Sequence, residues 1–223
     1  MFEAVIFDWD GTLADTRQVV VASFQKALSD VHCEISGEFI ERLIGIGSAE
    51  TLREILRFSK MRFDETLIKR LVEKKIQNEI GMSSDVKLFN GSLDLLEYLQ
   101  GKVKLGLASM NDWAVINNLL KITSAQRFFD VTLTADDVAE PKPNPEIFLK
   151  CARKLRSSKE KCVVVEDSVF GVKAAKTAKM GCIAVLTGVY SREDLSKANP
   201  DLIVDSLREK SEVLNFIFGC FSK

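Results

Sequence analysis

Two hydrophobic periodicities alternate along this chain. Short, nearly continuous apolar runs occur at Ala4–Phe7, Val103–Ala108, Val131–Thr134, Cys162–Val165, Ile183–Leu186 and Leu202–Val204. Runs of this length with no polar alternation predict strands buried on both faces, as in a parallel sheet. Between them, apolar residues recur at helical spacing over Gly91–Gln100, Trp113–Leu120 and Pro145–Leu155. The last of these has start chemistry, with Asn144 able to cap and Pro145 suited to the first helical position. Strand and helix in alternation predict an α/β fold with a Rossmann-like parallel sheet.

The stretch from about Thr16 to Asp85 breaks that alternation. It has no convincing strand, and Val19-Val20, Phe24, Leu28, then Phe39, Leu43, then Leu52, Leu56, then Leu67, Leu71 keep helical spacing. The expected organisation is therefore a sheet-bearing unit from residues 1–15 and 86–223, interrupted by a helical insert over residues 16–85. No internal repeat or low-complexity segment stands out.

Three of the apolar runs end in polar groups that packing does not require. Ala4–Phe7 runs into Asp8, Val103–Ala108 into Ser109, and Cys162–Val165 into Glu166-Asp167. Open α/β sheets bind ligands outside the carboxyl ends of their strands. If these three strands are neighbours, their acids and hydroxyl meet on one rim. Asp8 and Asp10 sit two apart, so on extended backbone they face the same way, and Gly11 then permits a sharp turn. Two close carboxylates repel unless a cation intervenes, which suits a hard, oxygen-ligated ion such as Mg²⁺. A turn cap explains Asp-x-Asp-Gly about equally well when it stands alone. Ser168 reads as a helix cap, whereas two adjacent acids at the end of a buried strand have no such explanation. Lys142 lies in Glu140-Pro141-Lys142-Pro143-Asn144-Pro145, which holds three of the chain's 4 prolines. A stiff loop can hold one ammonium beside developing negative charge. In isolation, a solvated loop lysine is the simpler reading.

Composition narrows the function classes. The 223 residues carry 31 Lys+Arg against 32 Asp+Glu, a net charge of -1, with a hydrophobic fraction of 46%. That balance argues against nucleic acid as a partner and against general disorder. No apolar run approaches the ~18 residues of a membrane-spanning helix, and no secretory signal is visible. The 5 cysteines form no CxxC pair and lie in apolar surroundings, as expected of buried, reduced thiols in a cytoplasmic protein.

Taken together, the segments resemble the four motifs of the haloacid dehalogenase (HAD) superfamily: Asp8-Trp9-Asp10-Gly11-Thr12-Leu13-x-Asp15, then Ser109 after its strand, then Lys142 in Pro-Lys-Pro-x-Pro, then Glu166-Asp167-Ser168-x-x-Gly171. The resemblance runs from Phe2 to about Ser206 and is closest to the phosphoglycolate phosphatase and β-phosphoglucomutase branch, whose helical cap follows the first motif. It implies a HAD-like core with an inserted α-helical cap domain, and a Mg²⁺-dependent phosphatase acting on a small phosphorylated metabolite. By resemblance, Asp8 is the nucleophile that becomes an aspartyl-phosphate and Asp10 the general acid/base. Mg²⁺ would be held by Asp8, the Asp10 main-chain carbonyl and Asp167, with Glu166 nearby. Ser109 and Lys142 would bind the transferring phosphoryl group, and Asn111 would add a hydrogen bond. The retained second aspartate argues against a true dehalogenase. Two alternatives stay open: a phosphomutase using the same intermediate, and an idle binding protein on the same fold. β-Phosphoglucomutases carry a histidine and an arginine in the cap where Val20 and Ser48 fall here, which favours the phosphatase. Oligomeric state is not legible.

The remaining features are expected to be structural. His32 reads as a cap surface residue, Asp15 as a hinge or turn residue, and Asp136-Asp137 as a turn. Trp9 and Trp113 flank the motifs and by default pack. Gly45–Ser48 is a candidate specificity loop only. The apolar Phe216–Phe221 tail packs either on the core or on another subunit.

Overall fold

The computed structural model describes residues 1–219. Six strands, β1 (Ala4–Phe7), β2 (Lys104–Ala108), β3 (Val131–Leu133), β4 (Cys162–Glu166), β5 (Gly181–Val185) and β6 (Leu202–Val204), form one sheet in the order β3-β2-β1-β4-β5-β6. Every adjacent pair is parallel. All four β1 residues have no exposed surface, as the unbroken apolar runs predict. Each run falls on a strand, with Ala4–Phe7 and Leu202–Val204 unchanged and the other ends moved by at most two residues. The shift with functional weight is at β4, which continues through Glu166 in register with Ala184; the first of the two acids is thus itself a strand residue.

The helices are α1 (Arg17–Leu28), α2 (Gly37–Glu41), α3 (Ser48–Phe58), α4 (Glu65–Met82), α5 (Ser92–Leu99), α6 (Trp113–Ile122), α7 (Glu146–Lys154), α8 (Val169–Thr177), α9 (Arg192–Lys197) and α10 (Lys210–Phe218). Each sheet face is covered by its own apolar cluster. One gathers Phe7, Trp9, Leu95, Leu119 and Ile217, the other Ile6, Phe148, Cys151, Val164 and Ala175. α7 starts one residue later than the proline predicts, because Asn144 Oδ1 accepts from Glu146 N at 3.0 Å and Pro145 becomes the boundary residue.

Helices α1–α4 fill the stretch between β1 and α5 and close over their own cluster, including Phe24, Ile40, Leu52, Ile55 and Leu71. α4 is capped by Asp64, whose side chain accepts from Leu67 N at 2.8 Å. Its inward stripe runs Ile68, Leu71, Lys75, Glu79, so two charged residues occupy positions that helical spacing directs into the protein. The two chain crossings between sheet and helices pair with each other. Asp15 N donates to Lys87 O at 3.0 Å and Phe89 N to Leu13 O at 2.9 Å, flanking an antiparallel bridge between Ala14 and Leu88.

Cys33, Cys151, Cys162 and Cys182 are free and buried. Burial pushes the Cys162 thiol up to about 11 and those of Cys151 and Cys182 further, as inert thiols require. Cys220 lies outside the described residues. His32 is exposed, in the left-handed region (φ 53) after a single helical turn. Asp136 and Asp137 serve the turn after β3, where Asp137 closes a capping box with Thr134 and Asp136 accepts from Trp113 N at 2.7 Å. Phe216 stacks on Phe2 with ring centroids 5.5 Å apart; Phe221 lies outside the described residues. Among the described residues, no helix is long and apolar enough to cross a membrane.

Candidate active site

β2, β1 and β4 lie side by side, which brings the three polar strand ends onto one rim. The β1 carboxyl end delivers Asp8, and Asp8 N donates to Val165 O at 3.0 Å, fixing it beside the end of β4. Lys142, from the proline-rich loop, is buried here. Its Nζ donates to Asp8 Oδ1 and Glu166 Oε1, both at 2.6 Å, and to Ala108 O at 3.2 Å. A lysine ammonium has three donors, and this one uses all of them on three different strand ends. The solvated-loop reading of Lys142 is therefore excluded.

Glu166 serves the lysine and the following helix together. Its Oε2 accepts from Asp167 N, Ser168 N and Ser168 Oγ at 3.0, 3.0 and 2.9 Å, while Oε1 holds Lys142. Ser168 caps α8 as its sequence predicts, accepting from Gly171 N at 3.0 Å. Asp167 accepts from Thr12 Oγ1 at 3.1 Å. It is boxed in by glycines: a Cβ on Gly11 or Gly188 would come within 2.3 or 1.9 Å of Asp167 Oδ2. Gly11 also has φ +77, the left-handed conformation that lets the chain turn back after Asp10.

Oxygens of Asp8, Glu166 and Asp167 lie within 4.8 Å of one another. Burial pushes Asp8 well above the ordinary carboxylate range, Lys142 opposing and Glu166 and Asp10 adding to the rise. Burial, Glu166 and Asp8 do the same to Asp167. Lys142 pays the same desolvation cost, but Asp8 and Glu166 outweigh it and hold the ammonium above its usual value. Three carboxylates against one ammonium leave an excess of two negative charges when all are ionised. An all-oxygen donor set with that excess, in a pocket where even one methyl group would displace a ligand, fits a hard divalent cation.

Asp10 stands apart from this cluster. Thr16 Oγ1 donates to its Oδ1 at 2.6 Å, while Ser109 Oγ and Asn111 Nδ2 each lie 3.4 Å from Oδ2. Burial, and next the nearby Glu79 charge, raise its carboxyl to about 6. It can therefore hold or give up a proton near neutrality, as a general acid/base must. Ser109 and Asn111 face Asp10. The Asn111 side chain is fully engaged: Oδ1 accepts from Lys75 Nζ at 2.8 Å and Asp112 N at 2.9 Å, and Nδ2 donates to Glu79 Oε1 at 2.8 Å.

The structure thus gathers every residue singled out for chemistry, Asp8, Asp10, Ser109, Asn111, Lys142, Glu166 and Asp167, at one place. It adds residues that sequence reasoning passed over. Lys75 and Glu79 reach the site from α4, with Lys75 Nζ 2.6 Å from Glu79 Oε2 and 3.6 Å from Asp112 Oδ2. The Gly45–Ser48 loop lies over the same cavity, whose lining includes Asp8, Asp10, Val20, Gly45, Ser48 and Lys75. Ser48 Oγ is 2.5 Å from Asp112 Oδ2. Trp9 is wholly buried in the core, as the packing reading has it, whereas Trp113 is half exposed.

A parallel sheet that converges acids and one lysine at its carboxyl rim places a ligand site outside the strand ends. The haloacid dehalogenase-like hydrolase family model matches residues 5–185. A "phosphorylated carbohydrates phosphatase" of Thermotoga maritima is 30% identical over 217 residues, covering 96% of this chain and 98% of that protein. The solved β-phosphoglucomutase of Clostridium difficile superposes with TM-score 0.86 at 30% identity, covering 98% of each chain. CbbY of Rhodobacter sphaeroides, in a variant bound to xylulose-1,5-bisphosphate, gives TM-score 0.83 at 28% identity over 94% of this chain and 96% of that one. The chain belongs to the haloacid dehalogenase-like hydrolases.

Proposed function

We propose that this protein is a Mg²⁺-dependent phosphatase that hydrolyses a small phosphorylated metabolite through an aspartyl-phosphate on Asp8. The observation that carries the reading is the division of labour between the two aspartates. Asp8 belongs to the metal-fitting, Lys142-bound cluster. Asp10 lies outside it, hydrogen-bonded to Thr16, with its carboxyl near 6. Asp8 attacks phosphorus, forming the oxygen–phosphorus bond as the bond to the leaving oxygen breaks. Asp10 gives that oxygen its proton. It then takes one from the water that attacks the aspartyl-phosphate, releasing inorganic phosphate and restoring Asp8. Lys142 neutralises charge on the transferring group and Ser109 orients it, while the Asn111 side chain, engaged by Lys75, Glu79 and Asp10, acts on Asp10 instead of on the phosphoryl group. Asp8, Asp167 and the Asp10 main-chain carbonyl would hold Mg²⁺, and Glu166, saturated by Lys142 and the start of α8, would steady both. When bound, the ion offsets repulsion between anionic nucleophile and anionic substrate.

The metal reading has a pH signature. In the metal-free protein the raised carboxyls bind protons that the unfolded chain does not, so stability rises as pH falls from neutrality toward about 4. Protons and metal compete for the same oxygens. The gain in thermal midpoint from saturating Mg²⁺ is therefore expected to shrink from about pH 8 to about pH 5. Equal gains at both pH values, or full phosphate release in excess EDTA, count against the metal assignment.

The mutase reading, raised by the β-phosphoglucomutase likeness, needs a cation to grip a second phosphate. Arg53 is the first arginine after the cap loop, but it is held by Glu50 at 3.1 Å and Glu65 at 2.7 Å. Val20, where the mutases carry histidine, lines the cavity. With β-glucose 1-phosphate, free phosphate is expected to appear faster than any 6-phosphate sugar. The opposite order, followed in one reaction, means the mutase reading is correct.

A further inference from the structure

We infer that Glu79 sets the charge preference of the leaving-group side of the cavity. By neutralising Lys75, it makes the site select phosphomonoesters whose leaving alcohol is uncharged over those bearing a second anionic group. This rests on the phosphatase reading above and narrows its substrate class.

Lys75 is the one cation lining the cavity among the described residues. Facing an empty site, a buried ammonium would be a ready grip for a carboxylate or second phosphate. Here it is already spent. Its Nζ lies 2.6 Å from Glu79 Oε2, donates to Asn111 Oδ1 at 2.8 Å and has Asp112 Oδ2 at 3.6 Å. Lys75 and Glu79 are both essentially without solvent contact, at 2% and 0% exposed. Burial works against the ammonium, yet Glu79 and Asp112 keep it above its usual value. With two carboxylates around one ammonium, this end of the cavity carries no net positive charge. The nearby walls, Val20, Phe24 and Met110, are apolar. An anionic leaving group would lose its hydration there and gain no counter-charge, whereas a hydroxyl-bearing one loses far less. Lys75 and Glu79 sit one helical turn apart on α4, the spacing at which such pairs meet.

The test uses a matched pair of compounds, 2-hydroxyethyl phosphate and 2-phosphoglycolate, which differ by a hydroxymethyl against a carboxylate. Each is measured with Mg²⁺ as a substrate by kcat/KM, and as a competitive inhibitor of p-nitrophenyl phosphate hydrolysis. The wild-type chain is expected to prefer the neutral compound by roughly ten-fold or more, an effect that one unit charge about 12 Å away already supplies at an effective dielectric of about 20. Glu79→Gln should move the preference toward phosphoglycolate by a similar factor, and Lys75→Gln should move it the other way. The double variant should return close to the wild-type ratio, which a merely structural role for the pair would not produce. The two single variants give opposite signs, so either one that folds decides the matter. A wild-type preference for phosphoglycolate overturns the inference. So does a parallel fall for both compounds with the ratio unchanged in the variants. Absence of Mg²⁺-dependent phosphate release from any phosphomonoester instead overturns the phosphatase reading itself.

Discussion

Asp8→Asn protein is expected to fold and to lose turnover by several orders of magnitude, with no acid-trappable phosphoenzyme. Aspartate and asparagine have nearly the same shape, so the packing around β1 is unchanged. What is lost is the carboxylate oxygen that must become bonded to phosphorus. Lys142 keeps Glu166 as an ionic partner at 2.6 Å, so the substitution leaves no buried charge unpaired. It also relieves crowding, since burial already holds Asp8 well above the ordinary carboxylate range. Metal-free Asp8→Asn protein should therefore melt no lower than metal-free wild type, while the gain from Mg²⁺ is reduced. Phosphate release and acid-quenched mass spectrometry read the chemistry, and thermal melts read the charge balance. Wild-type-like turnover in the folded variant would remove Asp8 from the nucleophile role.

Lys142→Ala combines two losses. The lysine is wholly buried and bridges Asp8 and Glu166, and removing one partner of a buried ion pair typically costs about 3–5 kcal/mol. Losing one preorganised donor to the transferring group should also lower kcat by about two orders of magnitude or more. The two effects separate with Mg²⁺. A divalent ion on the same carboxylates should restore much of the melting temperature but little of the rate. Normal rates in folded variant protein, with only thermal stability reduced, would assign Lys142 a purely structural role.

The sheet and its rim were legible because a parallel sheet buried on both faces writes its strands as unbroken apolar runs, so a polar residue at a run's end is conspicuous. Asp8, Ser109 and the Glu166-Asp167 pair announced themselves in that way. Lys142 was marked by its prolines. Lys75 and Glu79 were not seen because a lysine and a glutamate one turn apart on a helix ordinarily form an exposed pair. The available signal was positional: they continue the Ile68–Leu71 stripe, where charge is unusual. Gly188 carried a fainter signal, since it follows the end of β5 on the same rim. Its need to be glycine lies in its contact with Asp167, and no linear pattern encodes a contact across two loops. The start of α7 moved because proline fixed a φ angle without fixing which residue closes the first turn.

The paired crossings at Ala14 and Leu88 have a consequence for how the family can diversify. The chain leaves the sheet unit and re-enters it through two segments that are hydrogen-bonded neighbours. The whole helical excursion is thus closed at its base, like a loop drawn tight with a stitch. Closing that gap with a short turn would ask little of the sheet unit that carries Asp8, Lys142 and Asp167, since neither end of the gap would have to move. Exchanging the excursion for another of different length is equally undemanding, because loop-closure entropy grows only slowly with length. A graft at this stitch would exchange Lys75, Glu79 and the Gly45–Ser48 loop together while leaving the strand ends in place, so it must bring its own partners for Asp10 and Asn111.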